Sequence, residues 1–149
     1  MEKKSRQRRG RDLDMPWSVI AAALSTGAPR RYKGSRFHRV IPDFMAQGGD
    51  VTRNNGSGGH SIYGKTFADE ESDLKFDRPG VLAMATSGPD TNSSQFFVAL
   101  QACEWLDGKH TAFGHVSAGM DVIRTVEDCG TAQGRTRGIV TIANCGQLA

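Results

Sequence analysis

Short runs of apolar residues, separated by turn-forming residues, make up most of the chain after about residue 30. Each run spans four or five residues, a length typical of β-strands rather than of helices. The runs predicted as strands are residues 37–41, 81–85, 96–100, 112–116 and 139–142. Many short strands with few helices favour an antiparallel barrel or sandwich, so we expect a mainly β fold.

Two helices are predicted, one from periodicity and one from composition. Met120, Ile123 and Val126 recur every three residues, which puts them on one face of a helix. Gly130 follows as a residue that commonly ends a helix. Residues 17–24 form an apolar stretch with three alanines, and we predict that they are the last turns of another helix.

The positive charge of the chain is concentrated at its beginning. In all, 19 Lys and Arg against 16 Asp and Glu give a net charge of +3, a balance that can indicate a nucleic-acid partner. Residues 1–11 carry six basic side chains and one acid, so the other 138 residues carry 13 basic and 15 acidic ones. We therefore expect no nucleic-acid partner for the main part of the chain. Residues 1–22 are predicted as an atypical basic segment without fixed structure, followed by one domain over residues 23–149.

Membrane insertion, disulfides and metal binding are not expected from the sequence. No run of 18 apolar residues occurs, so we expect no membrane partner. The three cysteines lack a Cys-x-x-Cys spacing, which without a signal-peptide core favours reduced thiols and a cytoplasmic location, with nuclear import through residues 1–11 as the alternative. The acidic cluster Asp69, Glu70, Glu71 and Asp73 is interpreted as a solvated face, and the histidines show no metal-ligand spacing. No metal or other cofactor is therefore expected.

The segment 37–50 places polar residues among large apolar ones. Because side chains two residues apart on a strand share a face, Arg39 is predicted to lie on one face with Phe37 and Ile41. An arginine on an apolar face is costly unless it has partners. From these residues alone two interpretations stay open, a structural ion pair and a functional arginine.

Five stretches of the chain carry a resemblance to a known family. They are Tyr-Lys-Gly-Ser at 32–35, Phe-His-Arg through Gln-Gly-Gly-Asp at 37–50, Met-Ala through Gly-Pro at 84–89, Thr-Asn with Ser-Gln-Phe-Phe at 91–97, and Glu-Trp-Leu-Asp-Gly-Lys-His at 104–110. In this order and spacing, the chain from residue 24 to residue 148 resembles the single-domain cyclophilins, which are peptidyl-prolyl cis-trans isomerases. The resemblance covers about five-sixths of the 149 residues.

The resemblance implies a set of site residues. The implied catalytic residues are Arg39, Phe44, Gln47 and His110. The implied substrate-binding residues are Met45, Gly56, Ala85, Thr86, Gln95, Phe97, Trp105 and Leu106. In this assignment the two glutamines orient the arginine, the main chain at 85–86 holds the residue before proline, and Trp105 contributes to binding the cyclic peptide cyclosporin. Thr86 stands where the family commonly has asparagine.

The resemblance also implies a fold and a function. The fold is a cyclophilin-like antiparallel β-barrel with flanking helices, and the protein is expected to act as a monomer, without cofactor, on X-Pro bonds of peptides and proteins, assisting their folding. In the family, a hairpin and a helix precede the position of Leu24, so we expect the barrel to be incomplete at the N-terminus. The alternative is a non-catalytic module that binds proline peptides or cyclosporin, because a truncated barrel would lack turnover.

Overall fold

Five strands form one antiparallel sheet in the computed structural model, which describes residues 32–146. The strands are β1 (Arg39–Ile41), β2 (Met45–Gly48), β3 (Val81–Met84), β4 (Phe96–Ala99) and β5 (Ala112–His115). They lie in the order β1-β2-β4-β3-β5. The predicted mainly β fold is confirmed, and within the described residues the sheet is open rather than closed into a barrel.

The strands differ from their predicted positions in two respects. Strand β2 is absent from the prediction because its Gln47 and Gly48 interrupt the apolar run. The strand predicted at 139–142 is wrong, since only Thr141 forms an isolated bridge, to Arg36. Ile139 is 72% exposed and Val140 and Ile142 are only half-buried, so the stretch follows residues 34–37 through a few backbone hydrogen bonds without forming a regular strand.

The register of the sheet places four residues side by side across four strands. Arg39 on β1 lies opposite Gln47 on β2, Gln47 lies opposite Phe97 on β4, and Phe97 lies opposite Ala83 on β3. Residues directly opposite one another in an antiparallel sheet point to the same face. One face of the sheet therefore carries a row that runs from a charged edge to a buried aromatic ring.

The predicted helix is confirmed as α1 (Met120–Asp128). Its Ile123 and Val126 pack against a buried cluster formed by Val40, Ala46 and Leu100. These contacts hold the helix against the face of β1 and β2 opposite to the row of Arg39. The other face carries the larger apolar cluster, which includes Met45, Phe76, Phe97 and Leu106.

The prediction that Phe37 shares a face with Arg39 and Ile41 is wrong. Phe37 packs with the cluster under helix α1, whereas Ile41 packs with the cluster on the opposite face. Strand β1 begins only at Arg39, so the alternation of the strand does not reach back to Phe37.

Two predictions fall on residues that the structure does not describe. The helix turns at 17–24 and the basic segment at 1–22 both lie before residue 32, the first described residue. Among residues 32–146, no helix has the length and apolar character needed to cross a bilayer.

Candidate active site

A pocket of about 130 Å³ opens on the sheet face that carries Arg39. Since a water molecule in the liquid occupies about 30 Å³, the pocket has room for about four waters or for one small ring. Its lining consists of residues that the resemblance assigns to the site: Arg39, Phe44, Met45, Gln47, Ala85, Thr86, Phe97, Leu106 and His110. The fold therefore brings these nine residues together from separate parts of the chain.

The floor of this pocket is apolar and rigidly packed. The ring of Phe97 stacks on Phe76 with centroids 5.9 Å apart and planes at 10°. The ring of His110 meets Phe97 edge to face at 5.3 Å, and its Nδ1–H donates to the carbonyl of Met84 at 3.1 Å. Both rings are therefore held by contacts with neighbouring groups.

Arg39 stands at the open edge of the pocket. Contrary to the expectation from the strand pattern, its side chain is exposed, because β1 is an edge strand of the sheet. Within residues 32–146 it forms no ion pair with a carboxylate, so the structure does not support the structural ion pair. Its aliphatic stem packs over Gly134, where a Cβ atom would lie 2.9 Å from Arg39 Cγ. Sequence reasoning missed Gly134, which lies far from Arg39 in the chain.

Two glutamines connect Arg39 to a glycine-rich loop. The Arg39 guanidinium donates to Gln47 Oε1 at 3.3 Å, and Gln47 Nε2 donates to Gln95 Oε1 at 2.9 Å. Gln95 Nε2 in turn donates to the carbonyls of Gly56 at 2.9 Å and Gly58 at 2.7 Å. The three side chains therefore form one hydrogen-bonded chain that ends on backbone carbonyls.

A second pocket, of about 380 Å³, adjoins the first. The two share Gln47, Ala85 and Thr86, and the second is also lined by Gly56 and Gln95. Eleven of the twelve residues implied by the resemblance thus border one pocket or the other. Trp105 lines neither: it is 54% exposed, and its ring lies 6.1 Å from that of Phe44 at the rim.

Asp50 organises the loop that forms a wall of the second pocket. Its side chain is fully buried, and its carboxylate accepts six hydrogen bonds of 2.9–3.2 Å. The donors are the backbone N–H groups of Thr52, Arg53, Asn55, Gly56 and Gly58 and the hydroxyl of Thr52. Sequence reasoning assigned Asp50 no role, although an aspartate before a run of Asn and Gly is a known signal for such a loop.

The charge state of Asp50 follows from these contacts. Burial by itself raises the pKa of the carboxyl, but hydrogen bonds from residues 52–55 outweigh it and hold the pKa well below the usual range. Burial lowers the pKa of the neighbouring His38, against the opposing effect of the Asp50 charge. Around neutral pH the loop is therefore built on an ionised aspartate.

We expect the fold to lose stability in acid because of this loop. A carboxyl whose folded pKa lies below its unfolded value of about 3.9 stabilises the fold above that pH and loses the contribution as the pH falls below it. The measurement is urea unfolding of the wild type and of Asp50→Asn between pH 7 and pH 3. The difference in unfolding free energy between them should shrink below about pH 4. A difference that is constant with pH would contradict the assignment.

The acidic cluster lines a third pocket, of about 460 Å³, which shares His110 with the first. Asp69, Glu71 and Asp73 are exposed, as interpreted from the sequence, whereas Glu70 is half-buried. The carboxylate of Asp69 accepts hydrogen bonds from Asp90 N at 3.0 Å and from Asn92 Nδ2 at 2.7 Å. Among the described residues, no group of His, Cys, Asp and Glu side chains is arranged to hold a metal ion.

The chain was compared with models of known protein families. The family model described as cyclophilin type peptidyl-prolyl cis-trans isomerase/CLD matches residues 20–147. The match spans most of the 149 residues and includes every residue that lines the two pockets. The family predicted from the five sequence stretches is confirmed by this match.

Proposed function

Because the chain belongs to the family of cyclophilin-type peptidyl-prolyl cis-trans isomerases, we propose that Arg39 and the pocket beside it are the centre where it accelerates rotation about X-Pro bonds. The reaction is that of the family, and the roles of Arg39 and of the residues that line the pocket are what we propose. One observation supports these roles: a permanently charged guanidinium stands at the mouth of a pocket of about 130 Å³ with an aromatic floor, and an amide oxygen accepts a hydrogen bond from it.

The reaction suits a site without nucleophile or cofactor. Resonance in the peptide bond sets a barrier of about 18–20 kcal/mol, and the two X-Pro isomers differ by only about 0.5–1 kcal/mol. At the twisted transition state the prolyl nitrogen regains its lone pair and can accept a hydrogen bond. Arg39, which cannot lose its proton, donates that bond only in the transition state, so it lowers the barrier selectively.

Arg39 alone does not account for the acceleration. Shortening tens of seconds to milliseconds requires about four decades, or about 5.5 kcal/mol. A charge-assisted hydrogen bond contributes about 1.5–3 kcal/mol. We assign the remainder to the preorganised pocket, in which Phe44, Met45 and Phe97 hold the proline ring while the preceding carbonyl turns. Ala85 and Thr86 border both pockets, and their main chain is proposed to hold the residue before proline.

The proposed substrates are exposed X-Pro sites on many proteins. A proline ring buries only a few CH₂ groups at about 0.8 kcal/mol each, so binding is weak and release is fast. X-Pro isomerisation is slow enough to limit folding, so we propose that the chain assists protein folding. One copy supplies every lining residue of the pocket, so a monomer is sufficient.

The test is a protease-coupled assay on an X-Pro peptide, in which the protease cleaves only the trans isomer. Catalytic amounts of the chain should abolish most of the slow phase. A slow phase that is unchanged at all concentrations would overturn the function. A non-catalytic binding module would give that unchanged phase together with peptide binding, and nothing in residues 32–146 favours it.

We also propose that cyclosporin-like cyclic peptides bind across the pocket and the exposed face of Trp105. A buried tryptophan contact is often worth about 2 kcal/mol at an interface. Trp105→Ala should therefore weaken cyclosporin binding by more than ten-fold in calorimetry, with little change in turnover of a short peptide. Ile139→Ala, at a residue 72% exposed and outside both pockets, is the control. Equal affinity of the Trp105→Ala variant and the wild type would contradict the proposal.

A further inference from the structure

We propose that Asp50, which lines neither pocket, is a positioning residue for Arg39. It acts through the loop that its carboxylate holds and through the side chains of Gln95 and Gln47. The inference rests on the proposed function, since it concerns how the catalytic guanidinium is held.

The first step is the coupling between Asp50 and the backbone of the loop. The carboxylate accepts from the N–H groups of Gly56 at 2.9 Å and Gly58 at 3.1 Å. The carbonyl oxygens of these same two glycines accept from Gln95 Nε2 at 2.9 and 2.7 Å. Each glycine is thus fixed by Asp50 through its N–H and presents its carbonyl to Gln95. A displacement of the carboxylate therefore moves both acceptors of the Gln95 amide.

The hydrogen bonds of the loop also set the orientation of the Gln95 and Gln47 amides. With its NH₂ group on two carbonyls, Gln95 must turn its oxygen towards Gln47. Gln47 then donates its NH₂ to that oxygen and turns its own oxygen towards Arg39. Because a guanidinium only donates, this orientation of both amides is the one that attracts it. If the loop carbonyls were lost, the Gln95 amide could rotate and present its NH₂ to Gln47. The Gln47 amide would then turn its own NH₂ towards Arg39.

The loop is also tightly packed, with no room for a side chain at Gly56 or Gly58. A Cβ atom on Gly58 would overlap Thr52 Oγ1 and lie 2.6 Å from Asp50 Oδ1. A Cβ atom on Gly56 would lie 2.6 Å from His38 Nε2, and Gly56 has a φ of 89°, which favours glycine. The loop is therefore clamped between the Asp50 carboxylate and the His38 ring. A shift of Asp50 is therefore expected to shift the loop and its carbonyls.

If Asp50 only stabilised its loop, Asp50→Asn would have no more effect on turnover than the loss of another carboxylate that holds a loop. Asp69 is such a carboxylate. The Asp69 carboxylate also holds a loop, through Asp90 N and Asn92 Nδ2. No described hydrogen bond leads from Asp69 to the glutamines or to Arg39. Asp69→Asn therefore matches Asp50→Asn in chemistry and differs in its connection to the site.

The experiment measures turnover and the Arg39 side chain in the same variants. Asp50→Asn keeps the size of the side chain but presents an NH₂ group to N–H donors. We expect kcat to fall about ten-fold with KM little changed, because misplacement of a catalytic group by a fraction of an ångström is costly. In nitrogen-15 NMR, the Arg39 Nε–H signal should shift or broaden. Asp69→Asn should change neither quantity.

Two further variants keep the test decisive. Gly58→Ala pushes a methyl group into the carboxylate cradle, so it should reproduce the loss in kcat and the NMR change even if Asp50→Asn does not fold. In a Gln47→Ala background, Asp50→Asn should lower kcat by less than two-fold, because the connection is already broken. If Asp50→Asn lowered kcat by the full ten-fold in the Gln47→Ala background as well, the two effects would be independent and the proposal would be overturned.

The outcomes separate this inference from the proposed function. Folded Asp50→Asn and Gly58→Ala variants with an unchanged Arg39 signal and wild-type kcat would overturn the positioning role and leave Arg39 as the catalytic residue. Full turnover in Arg39→Ala would overturn the proposed function instead, while the NMR signal would still report whether Asp50 positions the guanidinium.

Discussion

Arg39→Ala is expected to lower kcat/KM on an X-Pro peptide by about a hundred-fold, or about 2.7 kcal/mol of transition-state stabilisation. The variant removes the donor to the prolyl nitrogen and leaves the apolar pocket in place. KM should change little, because the hydrogen bond forms in the transition state rather than in the bound substrate. Turnover is measured in the protease-coupled assay over a range of peptide concentrations.

Arg36→Ala is the matched control for this prediction. Arg36 lies three residues earlier, is exposed, and uses its backbone N–H, which the substitution keeps, to bond Asn54. Its loss should leave kcat/KM within two-fold of the wild type. Arg39→Lys should recover only part of the activity, since an ammonium lacks the planar fork of the guanidinium. Equal rates for Arg39→Ala and Arg36→Ala would show that the guanidinium of Arg39 does not contribute.

Phe97→Ala is expected to have the largest effect on stability among the site residues. Phe97 is 5% exposed and packs on both Phe76 and His110, and emptying such a site costs about 3–5 kcal/mol. That is a large share of the roughly 5–15 kcal/mol by which domains are stable. Thermal unfolding followed by circular dichroism should show a midpoint lowered by about 10 °C or more.

Phe97 is expected to affect both stability and activity, and Phe113 serves as a control that affects stability alone. Phe113 is 4% exposed and belongs to the cluster of Phe67 and Met84, away from both pockets. Phe97→Leu and Phe113→Leu should destabilise the fold to similar extents. Below both unfolding transitions, only Phe97→Leu should lower kcat/KM, by about ten-fold. Similar losses of activity in the two variants would mean that the Phe97 ring acts only through stability.

Much of the fold follows from local apolar patterns. Helix α1 was predictable because Ile123 and Val126 repeat on one face and a glycine follows. Four strands were predictable because each lies within a short apolar run of the sequence. Strand β2 was not, since half of it is Gln47 and Gly48, and its pairing with β1 and β4 rather than its own composition makes it a strand.

The residues of the site were predictable from the sequence, but the contacts that hold them in place were not. The resemblance assigned Arg39, Gln47 and Gln95 to one site, and the register of β1, β2 and β4 brings their region together. The exposure of Arg39 could not be derived from alternation along one strand, because it depends on β1 lying at the edge of the sheet. The role of Asp50 depends on contacts made by the following loop, which no periodicity encodes.

The central claim is that this chain catalyses X-Pro rotation at Arg39, and exchange NMR at equilibrium tests it most directly. Cross-peaks between the cis and trans signals of an X-Pro peptide report both rate constants without a protease. With catalytic amounts of the chain, both rates should rise by the same factor while the cis-to-trans ratio stays constant, and Arg39→Ala should remove nearly all of the increase. Rates equal to those of the free peptide, or an equal increase with Arg39→Ala, would contradict the account.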